Sequence, residues 1–237
     1  MNATVAMITT RGLLGRRRIW LLVPLPLLLI GLTLLVKAFG PEPAEWGEGV
    51  IGGLGFSAVL PVIALIVGTG VLGSEIDDGT ITHILSKPLP RSEIILTKLA
   101  VATGVTALFA GVPLFIVGLI AGEPPLAFAL FVGGVIGSLA YCSIFVLLSV
   151  MTRRPVLVGL AYVVLWEGVL GNILTGTQKL SIQQYVQAIV DWLAPTELLH
   201  GNVAVPLSWV MAAVFTIGST AYAVQRLRTL SVAGETG

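Results

Sequence analysis

The chain has 237 residues, of which 56% are hydrophobic and only 11% are Asp, Glu, Lys or Arg, with a mean hydropathy of +0.99. A soluble domain carries about 25% charged residues and could not hide this much apolar side chain, which excludes a soluble enzyme, an extracellular disulfide scaffold and a disordered chain. A net charge of +1 argues against a nucleic-acid binder, and the single cysteine, Cys142, allows no internal disulfide; what remains is an all-α integral membrane protein.

A bilayer core of about 30 Å takes about 20 apolar helical residues. The first 18 residues, ending in RGLLGRRR, form an amphipathic interfacial helix whose arginines hold the cytoplasmic side by attraction to anionic lipid or sit beside a partner. Six spans follow, at 19–39, 50–73, 94–121, 126–151, 156–175 and 207–224. The first has an apolar run too long for a signal peptide, with no clean small-x-small cleavage site after it, and is expected to stay as an anchor despite Arg16, Arg17 and Arg18 before it. Pro24, Pro26 and Pro113 bend their spans. Gly49 and Gly53, Gly118 and Gly122, and Gly133 and Gly137 stand four apart and read as packing positions, as does Cys142. Alternating strand patterns do not recur, which argues against a β-barrel. With both termini in the cytoplasm, eleven of the thirteen Lys and Arg fall inside; only Lys37 and Lys179 fall outside.

Two connecting pieces are long. The cytoplasmic one, 74–93, reads SEIDDGTITHILSKPLPRSE. Asp77 or Asp78 can cap a short helix with Ile81, Ile84 and Leu85 on one face, Pro88 and Pro90 stop it, and Ser92 can cap span three. It is either a polar connector or a docking surface, and its length exceeds what a hairpin turn needs. The outer piece, 176–206, places Ile182, Tyr185, Val186, Ile189 and Leu193 at helical spacing behind Ser181 as a cap, with Gln183, Gln184, Gln187 and Asp191 opposite. Trp192 suits the interfacial belt, Pro195 ends the helix, and a short apolar turn follows at Leu198 and Leu199. This is a helix that lies at the outer interface or dips into it.

Catalytic chemistry is sparse. The sequence carries no G-x-x-x-x-G-K-[ST] phosphate loop. His83 and His200 fall on opposite sides of the membrane, so they cannot share a metal or a triad, and no metal site or catalytic residue is assigned. Ser57, in GFSA, would need a base within hydrogen-bond reach to act as a protease nucleophile, and no span holds a histidine. The one deep ionisable residue is Glu167, eleven residues beyond Val156, or about 16 Å along a helix. A charge there costs roughly 2.5–3.5 kcal/mol, so it is protonated or faces a wet cavity. Glu167 either lines the substrate path or fixes the turn after span five, or else it caps backbone groups where the span breaks at Gly168 and Gly171.

Glu75, Gly79, Thr80 and Ile81, then Leu85, Ser86, Lys87 and Pro88, then Arg91, with Lys98 in the next helix, resemble the cytoplasmic loop of ABC exporter permeases of the ABC-2 type. Those chains read E-x-x-x-G-T-[IL]-x-x-[IL]-L-[ST]-x-P-x-x-R followed by a lysine, and this chain fits throughout. Trp166-Glu167-Gly168 and Gln184-Tyr185 also resemble the family's small bacterial members. The resemblance implies that 74–93 is the coupling helix, with Glu75, Gly79, Thr80, Ile81, Ile84, Leu85, Ser86, Pro88 and Arg91 docking into a separate ATPase. It implies two ATPase subunits, which carry ATP and magnesium while this chain binds no cofactor, and a second permease chain, identical or paralogous. The N-terminal helix would lie beside the ATPase, the outer helices at 181–200 would form a lid, and spans two and five would line the dimer centre. Trp166, Glu167 and Asn172 would lie near the substrate path or the lid hinge.

The expected function is that of a permease subunit, not itself an enzyme, in the bacterial plasma membrane. It would export a hydrophobic or amphipathic substrate such as a drug, lipid or peptide. The alternative is an ion-gradient-driven secondary transporter or channel, which would call for several buried acids or inverted repeats; a purely structural membrane scaffold is a third reading.

Overall fold

The structure is a computed structural model that describes residues 3–13, 15, 20–40, 42–77, 90–170 and 180–233. Nearly all of these are helical, and their only strand-like pairing is a bridge between Thr196 and Leu199. Helix α1 covers Ala3–Leu13, α2 Pro24–Phe39 and α3 Pro43–Gly47. A π-helical stretch, Glu48–Val59, runs into α4, Leu60–Asp77. Next, α5 (Arg91–Thr106) passes through a short π turn, Ala107–Gly111, into α6 (Val112–Ala121). The long α7 covers Pro124–Met151. Helix α8 (Pro155–Ala161) widens into a third π stretch, Tyr162–Leu170. Helices α9 (Ile182–Leu193) and α10 (Val205–Ala233) close the chain.

Among the described residues, Trp20–Phe39, Glu45–Gly73, Arg91–Ala121, Pro124–Met151 and Val205–Arg228 are long and apolar enough to cross a bilayer. Pro155–Val169 is a sixth, shorter apolar helix. The chain is therefore an all-α integral membrane protein.

Helix α7 is the axis of the bundle: 16 of its 28 residues are buried, and α4, α5, α6, α9 and α10 all pack on it. By contrast, α2 exposes Leu27, Leu28, Leu34 and Leu35, and α10 exposes Val210, Val214 and Ile217. In a bilayer those side chains meet lipid tails, at no hydrophobic cost. Lys37 donates to the carbonyl of Ile120, which fastens the end of α2 to the end of α6.

Proline and glycine set the irregularities. Pro24 starts α2 after a bend at Val23. Pro113, which lacks an N–H, follows directly on the π turn that widens the helix ahead of it. The glycine pairs divide by role. Gly133 and Gly137 seat neighbouring side chains, and a Cβ on Gly118 would lie 2.4 Å from the Cα of Ala127. Gly122 instead terminates α6 at φ +90°, a left-handed turn that disfavours any other residue. Among the described residues, a Cβ on Gly49 would meet nothing within 4 Å, and one on Gly53 only the Glu48 carbonyl at 3.9 Å.

Helix α4 continues at least through Asp77, with no proline or glycine to interrupt residues 74–77, while Asp78 and the short helix expected after it lie outside the described residues. One local expectation at the far side of that loop is corrected. Helix α5 begins at Arg91 behind Pro90 with no side-chain cap, so Ser92 lies inside its first turn.

Gly118→Val is expected to push α6 from α7 and cost about 1–3 kcal/mol through overpacking. Its thermal midpoint in detergent should fall, whereas Gly31→Ala, which meets nothing within 4 Å, should leave the midpoint unchanged or raised.

Candidate functional site

The described part of span five ends in the π stretch Tyr162–Leu170, and the geometry of that stretch creates the site. A π-helix closes between residues i and i+5, so Tyr162 and Glu167 share a face. The Tyr162 hydroxyl donates to Oε1 of Glu167 at 2.9 Å. The same oxygen accepts the backbone N–H of Ile182 at 3.0 Å, and the Ser181 hydroxyl donates to Oε2. Glu167 is fully buried, so these three donors replace the water it has lost.

Two of the donors lie at the start of α9. Ser181 is its N-cap and accepts the N–H of Gln184 at 3.4 Å, while its own hydroxyl proton goes to Glu167. The carboxylate thus sits at the N-terminus of α9, where exposed N–H groups and the helix dipole favour negative charge. The adjacent Trp166 donates from its indole nitrogen to the carbonyl of Leu180 at 3.3 Å. Two consecutive side chains of span five therefore hold three consecutive residues at the entry to α9.

Helix α9 is sunk into the bundle. Ile182, Val186, Ile189 and Val190 are fully buried, and the opposite face is buried too, with Gln183, Gln184 and Gln187 exposed by at most 5%. Of the two placements open to an amphipathic helix, the structure has the inserted one. Gly133 and Gly137 of α7 make room for Val186 and Val190, where a Cβ on Gly133 would come within 2.3 Å of Val190. Gln183 donates to the carbonyl of Gly52 at 3.4 Å, and Asn202 donates to Gln184 at 3.5 Å. At the far end the backbone N–H of Gly201 donates to Asp191 at 2.8 Å, and Leu198 and Leu199 are buried. Trp192 is 57% exposed. Burial, and secondarily the Glu167 carboxylate, push the Tyr185 hydroxyl up to about 12, so the phenol stays neutral at physiological pH. Tyr141 of α7 is fully buried and also within electrostatic reach of Glu167.

The described residues bring no three His, Cys, Asp or Glu side chains together, and the chemistry on offer at Glu167 is hydrogen bonding. The arrangement is a latch: α9 cannot leave span five without breaking the bonds to Glu167.

A second polar contact lies at the opposite end of the bundle. Lys98 is fully buried in α5 and its Nζ donates to the carbonyl of Val71 in α4 at 2.7 Å. It joins the two helices that flank the predicted docking loop. Helix α1 packs across α5 and α4, burying Thr9 and Leu13. Glu75 falls in the last turn of α4 and Arg91 in the first turn of α5. Gly79, Thr80, Ile81, Ile84, Leu85, Ser86 and Pro88, like Asn172, lie outside the described residues.

Sequence reasoning singled out Trp166, Glu167 and the Ser181 cap but did not join them; it placed Gln183 on the polar side of the outer helix without a partner, and it did not find Tyr162. The i, i+5 spacing of Tyr162 and Glu167 is the one signal that could have paired two of them.

An apolar helical bundle of this kind, stiffened by buried polar latches, is a multi-pass membrane protein. Residues 6–224, nearly the whole chain, match the family described as ABC-2 family transporter protein. The chain belongs to that family and is a membrane component of an ABC transporter, which implies an ATPase partner. Comparison with curated proteins gives no significant match.

Glu167→Ala would strand the Tyr162 hydroxyl, the Ser181 hydroxyl and the Ile182 N–H, at about 1–3 kcal/mol for each buried group left unpaired. Thermal stability and amide-exchange protection at the start of α9 should both fall. The Glu167→Ala, Ser181→Ala double variant should lose less than the sum of the singles, because the two side chains share one interaction.

Proposed function

We propose that this chain is the permease subunit of an ABC exporter, with residues 74–93 as its coupling segment. Two copies of a separate ATPase would drive it, paired with a second permease chain, in the bacterial plasma membrane with both termini cytoplasmic. The observation that carries the reading is the E-x-x-x-G-T-I motif at 75–81, followed by Leu85, Ser86, Pro88 and Arg91, in an ABC-2 family chain that lacks a phosphate loop. Such a chain needs an outside energy source, and the source must act through a contact stiff enough to move helices. The Lys98 to Val71 bond supports this: it ties α4 and α5 together, so that a push on the segment between them moves both. The packing of α1 on the same two helices adds a third element to that end. Ile81, Ile84 and Leu85 supply the apolar ridge for docking, and Glu75, Lys87 and Arg91 the polar rim.

At the other end the outer helix α9, held by Glu167 and Trp166, acts as the lid over the exit, and the family resemblance assigns Trp166, Glu167 and Asn172 to the substrate path or the lid hinge. The substrate is hydrophobic or amphipathic, in keeping with the apolar spans. The secondary-transporter reading loses its one deep acid, because Glu167 is committed to the N-terminus of α9.

Ile84→Asp and Gly79→Pro should abolish co-purification of the cognate ATPase while membrane insertion, read by protease accessibility, is unchanged. Retention of the ATPase by both variants would overturn the docking assignment.

A further inference from the structure

Helices α5, α7 and α10 enclose a groove of about 730 Å³ on the flank of the bundle. It opens because α10 packs extensively on α7 but only lightly on α5. Its walls are Leu96 and Leu99 of α5, Leu139 of α7, and Ile217, Ala221 and Val224 of α10. Two threonines of α10 also line it. Thr220 turns its hydroxyl back to the carbonyl of Thr216 at 2.7 Å, so that hydroxyl makes no demand on an occupant. The one charged side chain of the lining, Arg228, lies at one end beside Gln225, and both are exposed.

We propose that this groove holds one acyl chain of an anionic phospholipid, with the lipid phosphate at Arg228. The dimensions support one chain. From Thr216 to Arg228 is twelve residues of helix, or about 18 Å, close to the roughly 15 Å of one leaflet's hydrocarbon. The groove thus runs from the headgroup level to near the midplane. The charge pattern fits the same occupant: a guanidinium presents several N–H donors to phosphate oxygens at the end where a headgroup would lie, and a tail needs only the apolar walls. Spans two and five, expected to line a permease dimer, do not contribute to the groove.

The test is photo-crosslinking of the full chain in vesicles of equal parts phosphatidylcholine and phosphatidylglycerol, with a diazirine on one acyl chain of either lipid. The phosphatidylglycerol probe should label Leu96, Leu139 and Ile217 in preference to the phosphatidylcholine probe. Arg228→Gln should lower that labelling about fivefold, matching about 1 kcal/mol for one arginine at an anionic surface, and Arg228→Lys should largely keep it. Ala221→Trp should fill the groove and remove its labelling, while Leu28 and Leu35 on the exposed face of α2 label as before, which shows that the variant is folded. Equal labelling by the two probes, unmoved by Arg228→Gln, would overturn the proposal. So would a disulfide between two copies of Ile217→Cys, which would make the groove a protein interface.

Discussion

A bilayer core supplies no water to polar groups, so each one buried there must find its partner within the protein. That constraint organises the molecule. Thr33, Thr69, Ser138 and Ser149 all return their hydroxyls to a carbonyl one turn earlier in the same helix. Lys98 spends its ammonium on a carbonyl of the neighbouring α4. Glu167 gathers donors from its own span and from α9. These four hydroxyls each find an acceptor within their own helix, whereas Lys98 and Glu167 are satisfied between helices. Charge is thereby turned into tertiary linkage at two separate points.

On the proposed function, the two linkages sit at the docking end and at the lid. Lys98 joins the helices that bracket the 78–89 segment, with α1 laid against them. Glu167 and Trp166 join span five to the helix that precedes the last span. Helix α7 lies between, touching α4, α5, α9 and α10 together. On the proposed coupling role, a displacement imposed at α4 and α5 would pass to the seat of α9 through the side chains packed on α7.

The π stretches and glycines make this packing geometrically possible. The π turns at Tyr162–Leu170 re-aim side chains by widening the helix, which places Glu167 beside Tyr162. Gly133 and Gly137 lower the surface of α7 so that Val186 and Val190 can enter. A helix with glutamines along one side can then be buried on both faces, because Gly52 and Asn202 meet the amides.

The sequence by itself determined the membrane class, the helical fold, the approximate spans and the resemblance to ABC-2 permeases. Long apolar runs have no stable alternative to helix in lipid, and the 75–91 motif is local in the chain. It also marked Glu167 as anomalous, since one acid in an apolar run is visible without any fold. It did not say what Glu167 binds. The answer lies fourteen and fifteen residues further on, at Ser181 and Ile182, and depends on a π turn whose widened register no hydrophobic periodicity reveals. Helix α9 shows the same division: its amphipathic pattern and Ser181 cap were legible, but whether it lay on the surface or entered the bundle depended on glycines in α7 and a carbonyl at Gly52. Those are contacts between segments far apart in sequence, and only the tertiary structure brings them together.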